Sequence, residues 1–460
     1  MDDIQQPDQI DTGRTRVLIV TLDKVGLKMA GPAIRAWEIA TFLSRNHDVR
    51  LLSQGDTDLV SDEFPIASIT KHSIRSGLEW AQVVVFQGFA LHLYPEIGQA
   101  GKVLVCDVYD PVHLEALEMH RTDPWETRLP VAEATLDVMN SQLKMCDFFI
   151  CASEKQRDFW LGQLAGVGRI NPWTYDDDAS LRTLIDVVPF GIVSDPPEHK
   201  SKVLKGVVPG IGPDDKVALW GGGIWNWFDP LTLIRAVDVV KDSHPELKLF
   251  FMGAGHPNPE VPKMRMAADA LALARELGLE GKHVFFNEGW IPYEERGSYL
   301  SESDIGVSCH LDHIETAFSY RTRVLDYFWA GLPVILTQGD TLSELVEKHE
   351  LGLTVAPEDV EGLATALRTL LDDPNLANRC RSNIEAVRSD MTWEVALRPL
   401  DEFCFKARRA PDAGRETQLF GRRRIESLRL IGRVAHYWRI GGYELVRVYT
   451  RNYVRKRRRR

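Results

Sequence analysis

None of the six cysteines in this 460-residue chain pairs in CxxC spacing; Cys106, Cys146, Cys151, Cys309, Cys380 and Cys404 are scattered. That excludes a zinc ribbon or a disulfide framework and points to reduced, mostly buried thiols in a cytoplasmic protein. No apolar run approaches 18 residues, so a membrane-spanning helix is not supported. The opening residues, MDDIQQPDQIDTGRT, are acidic and polar without an apolar core, so no secretory signal is expected there. Walker A, Gly-x-Ser-x-Gly and His-Glu-x-x-His patterns are absent, as is any internal repeat. What remains is ordinary: 44% hydrophobic, 9% aromatic and 26% charged residues. A soluble globular protein of two or three domains, at roughly 100–200 residues each, is implied.

The net charge of −11 hides an asymmetry. Residues 406–460 hold 18 Lys and Arg against four acids, a balance of +14, and residues 1–405 hold 37 basic against 62 acidic residues, −25. An acidic body with a strongly basic tail predicts a polyanionic surface as partner for the tail only.

Short apolar runs alternate with helical patterns along most of the chain, the signature of βαβ units and parallel sheets. In the first half the expected strands are 16–22, 49–53, 83–87, 103–108, 148–151 and 187–189. A helix over 32–45 should place Ile34, Trp37, Ala40 and Leu43 on one side. Ser153 and Gln156 read as a capping box. Residues 194–213, rich in proline, glycine and lysine, read as a linker, after which strands are expected at 217–220, 247–252, 284–286, 305–309, 334–337 and 353–355. Asp229 and Pro230 suit an N-cap and first helical position, and Thr341 with Glu344 a second capping box. The expected architecture is α/β, with two Rossmann-like doubly wound domains, 1–200 and 201–405, facing a cleft. Ligands belong outside the carboxyl ends of such strands. Residues 406–460 break the rhythm and read as two amphipathic helices, 422–440 and 443–454, ending in RKRRRR.

Two segments carry chemistry. Gly221, Gly222 and Gly223 follow a strand and precede a helix, so backbone N–H groups there can approach a phosphate unobstructed. Trp225 and Trp227 beside them either wall a sugar or pack the interdomain surface. In ETAFSYRTRVLDYFWAGLP, residues 315–333, the polar run Ser319, Tyr320, Arg321, Thr322 and Arg323 interrupts an otherwise apolar helical stretch. Two guanidiniums near a helix start suit a diphosphate, and Asp326 one turn inside suits a ribose diol. An i,i+3 pairing of Arg323 with Asp326 is the structural alternative. Asp176-Asp177-Asp178 imitates a metal-binding DxD but reads as a solvated acidic turn. His310, Asp312, His313 and Glu315 match no zinc spacing.

Gly-Leu-Pro-Val-Ile closing the 315–333 segment, with an acid five places before the glycine and a preceding Glu, resembles the Glu-x7-Glu signature of retaining glycosyltransferase family 4. Gly31-Pro32, the Val188-Pro189-Phe190-Gly191 hinge, Gly253-Ala254-Gly255 and Asn287-Glu288-Gly289-Trp290-Ile291-Pro292 extend the resemblance over roughly 15–405. The resemblance implies a GT-B fold and a hexosyl transfer, with retention, from a nucleotide diphosphate sugar to an acceptor hydroxyl. It implies the ribose on Asp326, donor sugar hydroxyls near Glu315, the base against Gly289–Pro292 including Trp290 and Ile291, and Gly31 near the diphosphate. Three features depart from the pattern. Glu315 and Asp326 lie eleven positions apart, not eight; GGGIWNWFDP lacks the usual cations, so Arg321 and Arg323 are expected to supply them; and Asp107-Val108-Tyr109-Asp110 stands where a histidine is usual. Asp110 and His113 are the acceptor-side candidates, with helix capping as the alternative for Asp110.

No metal and no cofactor beyond the donor substrate are expected. The tail, 422–460 with Tyr437, Trp438, Tyr443 and Tyr449, suits the anionic inner face of a membrane more than a specific nucleic acid, and with it a lipid-linked or cell-envelope glycan acceptor. A non-catalytic scaffold binding membrane or RNA through its tail, a nucleotide-sugar epimerase and a phosphorylase are the competing readings.

Overall fold

The chain is described by a computed structural model over residues 13–253, 264–287 and 289–415. Strands β1 (Arg16–Val20), β2 (Asp48–Ser53), β3 (Ile66–Ser68), β4 (Val83–Gln87), β5 (Val103–Asp107), β6 (Phe148–Cys151) and β7 (Ile185–Val187) form one parallel sheet in the order β3-β2-β1-β4-β5-β6-β7. A second parallel sheet contains β8 (Lys216–Trp220), β9 (Leu247–Phe251), β10 (Val284–Phe286), β11 (Ile305–Ser308), β12 (Val334–Thr337) and β13 (Gly352–Val355), in the order β10-β9-β8-β11-β12-β13. Each sheet reverses direction of winding once, between β1 and β4 and between β8 and β11. The two Rossmann-like, doubly wound domains expected from the alternation are therefore present.

Strand interiors such as Val17–Val20 and Val83–Phe86 are fully buried, as parallel strands covered on both faces must be. The sequence reading missed β3, whose Ile66-Ala67-Ser68 carries one large apolar side chain. The seventh strand ends at Val187 rather than 189, because Pro189 has no N–H to donate to a ladder. The first helix runs Gly31–Leu43 and buries Ala33, Arg35, Ala36, Ile39, Ala40, Phe42 and Leu43. Ile34 and Trp37 lie on its flank, which corrects the expected face.

The caps differ in detail. Asp229 accepts from Thr232 N–H, as expected of an N-cap before Pro230. Ser153 accepts from Gln156 N–H, but the Gln156 side chain turns away from the cap, accepting from Ala152 N–H and donating to the carbonyls of Tyr109 and Phe318. The second capping box shifts by one residue: Asp340, not Thr341, accepts from Ser343 N–H. Asp177 ends the short helix Pro172–Asp177 and takes Arg408 at 2.9 and 2.6 Å, while Asp178 caps the following turn at Ser180 and Thr183. All six cysteines are buried and free.

Both lobes lie in one compact unit that extends to Ala413. After the second sheet the chain returns to the first lobe. Ile192 N–H donates to Met391 O and Trp393 N–H to Ile192 O, and Phe403 stacks on Phe148 at 4.2 Å. His47 meets Asp401, Arg409 meets Asp147, and Arg169 forms a two-pronged pair with Asp412.

Tyr327, on the helix Arg323–Trp329, fastens that helix to the second sheet. Its buried hydroxyl accepts from Gly221 N–H at 2.7 Å and donates toward the carbonyls of Leu219 and Val307 at 3.0 and 2.9 Å. The ring lies over Gly306, where a Cβ would fall 2.3 Å from Tyr327 Cγ. Gly306→Ala therefore pushes ring and helix off the sheet, and overpacking of this kind costs about 1–3 kcal/mol. Urea unfolding should show that loss, with an accompanying loss of near-ultraviolet dichroism.

Candidate functional site

The carboxyl ends of both sheets open onto one cavity of about 590 Å³. From the first lobe its wall takes Thr21, Gln87, Asp107 and Asp110, just after β1, β4 and β5. The second lobe contributes Gly221–Gly223 after β8 and Met252 after β9. Ligands of doubly wound sheets occupy this position because the strand order reverses there and leaves a crevice between loops.

Of the residues singled out in sequence, Gly31, Asp110, Gly221, Gly222, Gly223, Trp290, Ile291, Tyr320, Arg321, Thr322, Arg323 and Asp326 line the cavity. Glu315, Ser319 and His113 do not. Glu315 is completely buried and gives both carboxylate oxygens to Arg321, at 3.0 and 2.6 Å. Ser319 Oγ donates to Thr316 O. His113 packs its ring against Phe159 and Trp160, and burial lowers its pKa to about 4. No side chain caps the helix Val112–Met119, so Asp110 is not an N-cap.

The two arginines differ in what they leave available. Arg321 is neutralised by Glu315 and lies over the Phe228 ring. His313 stands 3.6 Å from the same carboxylate; its Nδ1 accepts from Thr316 N–H, so its other nitrogen carries the proton toward Trp227 O. Arg323 has no acidic partner among the described residues. Its Nη2 donates to Gly223 O at 2.8 Å, its guanidinium lies over Trp220 and Phe228, and Nη1 is buried without a hydrogen-bond partner. Burial lowers its pKa to about 10, which leaves it charged at neutral pH. Gly221 N–H is already taken by Tyr327, so only the later part of the triglycine turn is open, with Gly222 in the left-handed region at φ 87°.

Asp326 pairs with Arg296, not Arg323, at 3.3 Å. Arg296 also donates to Tyr293 O at 2.7 Å and rests on the Tyr293 and Trp329 rings. Sequence reasoning missed this residue, as it missed Glu38, whose carboxylate accepts from the Tyr293 hydroxyl across the lobes at 2.9 Å. Burial raises the Glu38 pKa. The loop around Trp290 is held from the first lobe too: Trp290 Nε1 donates to Met29 O, and Tyr293 N–H to Leu27 O, both at 2.9 Å. Also missed was Arg35, fully buried and paired with Asp107 at 2.6 and 3.0 Å while donating to the carbonyls of Val188 and Pro189. Its one legible sign was an arginine flanked by Ala33, Ile34, Ala36 and Trp37 in a mostly apolar helix.

Trp225 and Trp227 stack on each other at 5.3 Å and face the cavity. Among the described residues no three His, Cys, Asp or Glu side chains gather as metal ligands, so His310, Asp312, His313 and Glu315 form no such site. Ala254, Gly255 and Glu288 lie outside the described residues, as does the 422–460 segment.

Residues 215–373 match the family described as glycosyl transferases group 1. The second lobe carries a glycosyltransferase group 1 domain. Within curated proteins, glycogen synthase of Mycobacterium tuberculosis is 35% identical over 81 residues, 17% of this chain and 20% of that protein. Chitobiosyldiphosphodolichol beta-mannosyltransferase of Yarrowia lipolytica is 26% identical over 184 residues, 40% of this chain and 37% of that protein. The chain thus spans about a fifth to a third of the length of the curated relatives it matches. Across both lobes the fold is GT-B. Sucrose-phosphate synthase from Thermosynechococcus elongatus superposes with a TM-score of 0.59 at 17% identity, covering 86% of this chain and 100% of that one. HepE of Anabaena, solved with UDP and glucose, gives 0.59 at 15% identity, covering 85% and 99%.

The buried pair in this glycosyltransferase domain sets the outcome of an alanine substitution. Arg321→Ala strands the Glu315 carboxylate in the interior, and breaking such a pair costs about 3–5 kcal/mol. Denaturant titration should show that loss, whereas Arg321→Ala combined with Glu315→Leu should recover most of it.

Proposed function

We propose that the protein is a retaining glycosyltransferase of the family 4 kind, moving a hexosyl group from a nucleotide diphosphate sugar to an acceptor hydroxyl. One observation carries this reading: Arg323 is a buried guanidinium in the wall of the interlobe cavity, with one amino group fixed to Gly223 O and the other buried without a hydrogen-bond partner. A desolvated cation held rigidly favours a diphosphate and favours it more as the leaving group gains charge. The Gly222–Gly223 backbone lets the phosphates approach closely. Asp326, oriented by Arg296, is placed to accept from a ribose diol, and Trp290 with Ile291 flank the base.

In this reading the sugar–phosphate bond breaks while Arg323 neutralises the departing diphosphate, and the phosphate oxygen takes the proton of the incoming hydroxyl. Neither a protein nucleophile nor a metal is needed. Closure of the lobes around Trp290 and Tyr293 keeps water from the donor. The basic segment 422–460 would bring the enzyme to an anionic membrane face, where a lipid-linked or cell-envelope glycan is the acceptor.

Nucleoside diphosphate sugars should raise the melting temperature of the full chain, as any ligand of the folded state does. A panel across bases and sugars in which none shifts it overturns the proposal. Arg323→Ala should lower turnover with the best donor on the order of a hundredfold, while Arg323→Lys retains part of it. Removing residues 416–460 should release the protein from liposomes containing anionic lipid, read by co-sedimentation.

A further inference from the structure

The cations around the cavity are almost all spent on other partners. Arg35 is consumed by Asp107 and two backbone carbonyls, Arg321 by Glu315, and Arg296 by Asp326. Arg323 sits in the second-lobe wall at Gly223. On the first-lobe side, Asp110 and Glu115 line the cavity; Arg35 and Arg321 act on them through space, but neither carboxyl has an ion pair among the described residues. The Tyr109 hydroxyl alone bonds to the Asp110 carboxyl, and the Glu115 carboxyl has no hydrogen bond or ion pair among the described residues.

A second side chain nearby is equally short of partners. Gln142 lines the same cavity from the helix Trp125–Met145, against which the Glu115 helix packs. It is 1% exposed; its carbonyl oxygen has no hydrogen-bond partner among the described residues, and its amide nitrogen reaches only Met139 Sδ at 3.6 Å. A buried amide left in that state is costly unless a ligand satisfies it. Once ionised, Asp110 and Glu115 join the Gln142 oxygen as hydrogen-bond acceptors. Together they lack donors and a paired cation.

We propose that the first-lobe side of the cavity, at Asp110, Glu115 and Gln142, is a subsite for the protonated amine of an amino-sugar or aminocyclitol acceptor. An ammonium supplies three donors in a compact point charge, the complement of three acceptors without a paired cation. The inference rests on the transferase reading above and names the acceptor class of that same site.

The groups facing these carboxyls set the pH dependence. Asp110 is raised to about 7, first by burial and then by Asp107, with the Tyr109 hydrogen bond and Arg35 opposing. Glu115 is raised by burial and by Asp110 and Glu315, against Arg321. His113 stays neutral. Raised carboxyls ionise, and attract an ammonium, only as pH climbs through their raised values. Affinity for the amine should therefore grow from pH 5.5 to 7.5 while that for a neutral sugar stays level.

The test titrates the full chain, saturated with UDP, with methyl glucoside and with methyl aminodeoxyglucosides whose amine is moved around the ring. At least one amine should bind tenfold or more above methyl glucoside at pH 7.5, with the preference shrinking several-fold at pH 5.5. Glu115→Gln should bring the preference within about twofold, and Asp110→Asn should flatten its pH dependence; a retained melting shift with UDP shows that each variant folds. Equal binding of all glycosides at pH 7.5, or a preference that survives both substitutions, overturns the subsite and leaves the donor reading standing. If UDP produces no shift, the titration is run with the nucleoside diphosphate that does; if none does, the transferase reading falls and this inference with it.

Discussion

A single phenolic hydroxyl fixes the geometry on which the cleft depends. Tyr327 joins the end of β8, the middle of β11 and the helix Arg323–Trp329 through one oxygen. Because that oxygen is buried, each of its bonds is stronger than a surface bond and costlier to lose. The helix cannot slide along the sheet without breaking them. Its first residue, Arg323, is thereby held under the triglycine turn, where Gly223 O takes one of its amino groups. Gly306 supplies the room for the ring.

Around this fixed point the charges are sorted by lobe. Ion pairs cancel Arg35 with Asp107 and Arg321 with Glu315, both deeply buried. Such pairs add little net stability over apolar packing, but they hold planar groups in register. What is left uncancelled is a cation in the second-lobe wall and acids in the first. The cavity is consequently asymmetric, with an unpaired cation in one wall and unpaired carboxyls in the other. A donor and acceptor of opposite charge would be sorted by that field before any contact specific to their sugars.

Much of this was legible in the sequence where backbone periodicity governs. Buried parallel strands need unbroken apolar runs, so twelve of the thirteen strands announce themselves and only Ile66–Ser68, short and at the sheet edge, does not. The triglycine, the Tyr320–Arg323 run and Asp326 all reach the cavity wall because loops after parallel strands must gather there. Side-chain partnerships were not legible. Nothing in the spacing says that Arg321 turns inward to Glu315 while Arg323 reaches across to Gly223, since helical neighbours at i,i+3 predict the opposite pairing with Asp326. Arg296, Glu38 and Gln142 were missed for the same reason: each lies on a regular helix or turn and acquires its role from an element far away in sequence.

The parallel bridge that the returning chain forms with Ile192 has a mechanical consequence. The outgoing strand at Ile192 and the incoming one at Met391–Trp393 run side by side, hydrogen-bonded to each other, where the chain leaves and re-enters the first lobe. Two covalent threads bonded into one ribbon resist twisting far more than bending. The lobes can swing apart as pages do about a spine, yet shear or rotation of one past the other is suppressed. The widest opening then falls at the edge farthest from that ribbon, and successive closures bring the same atoms back face to face.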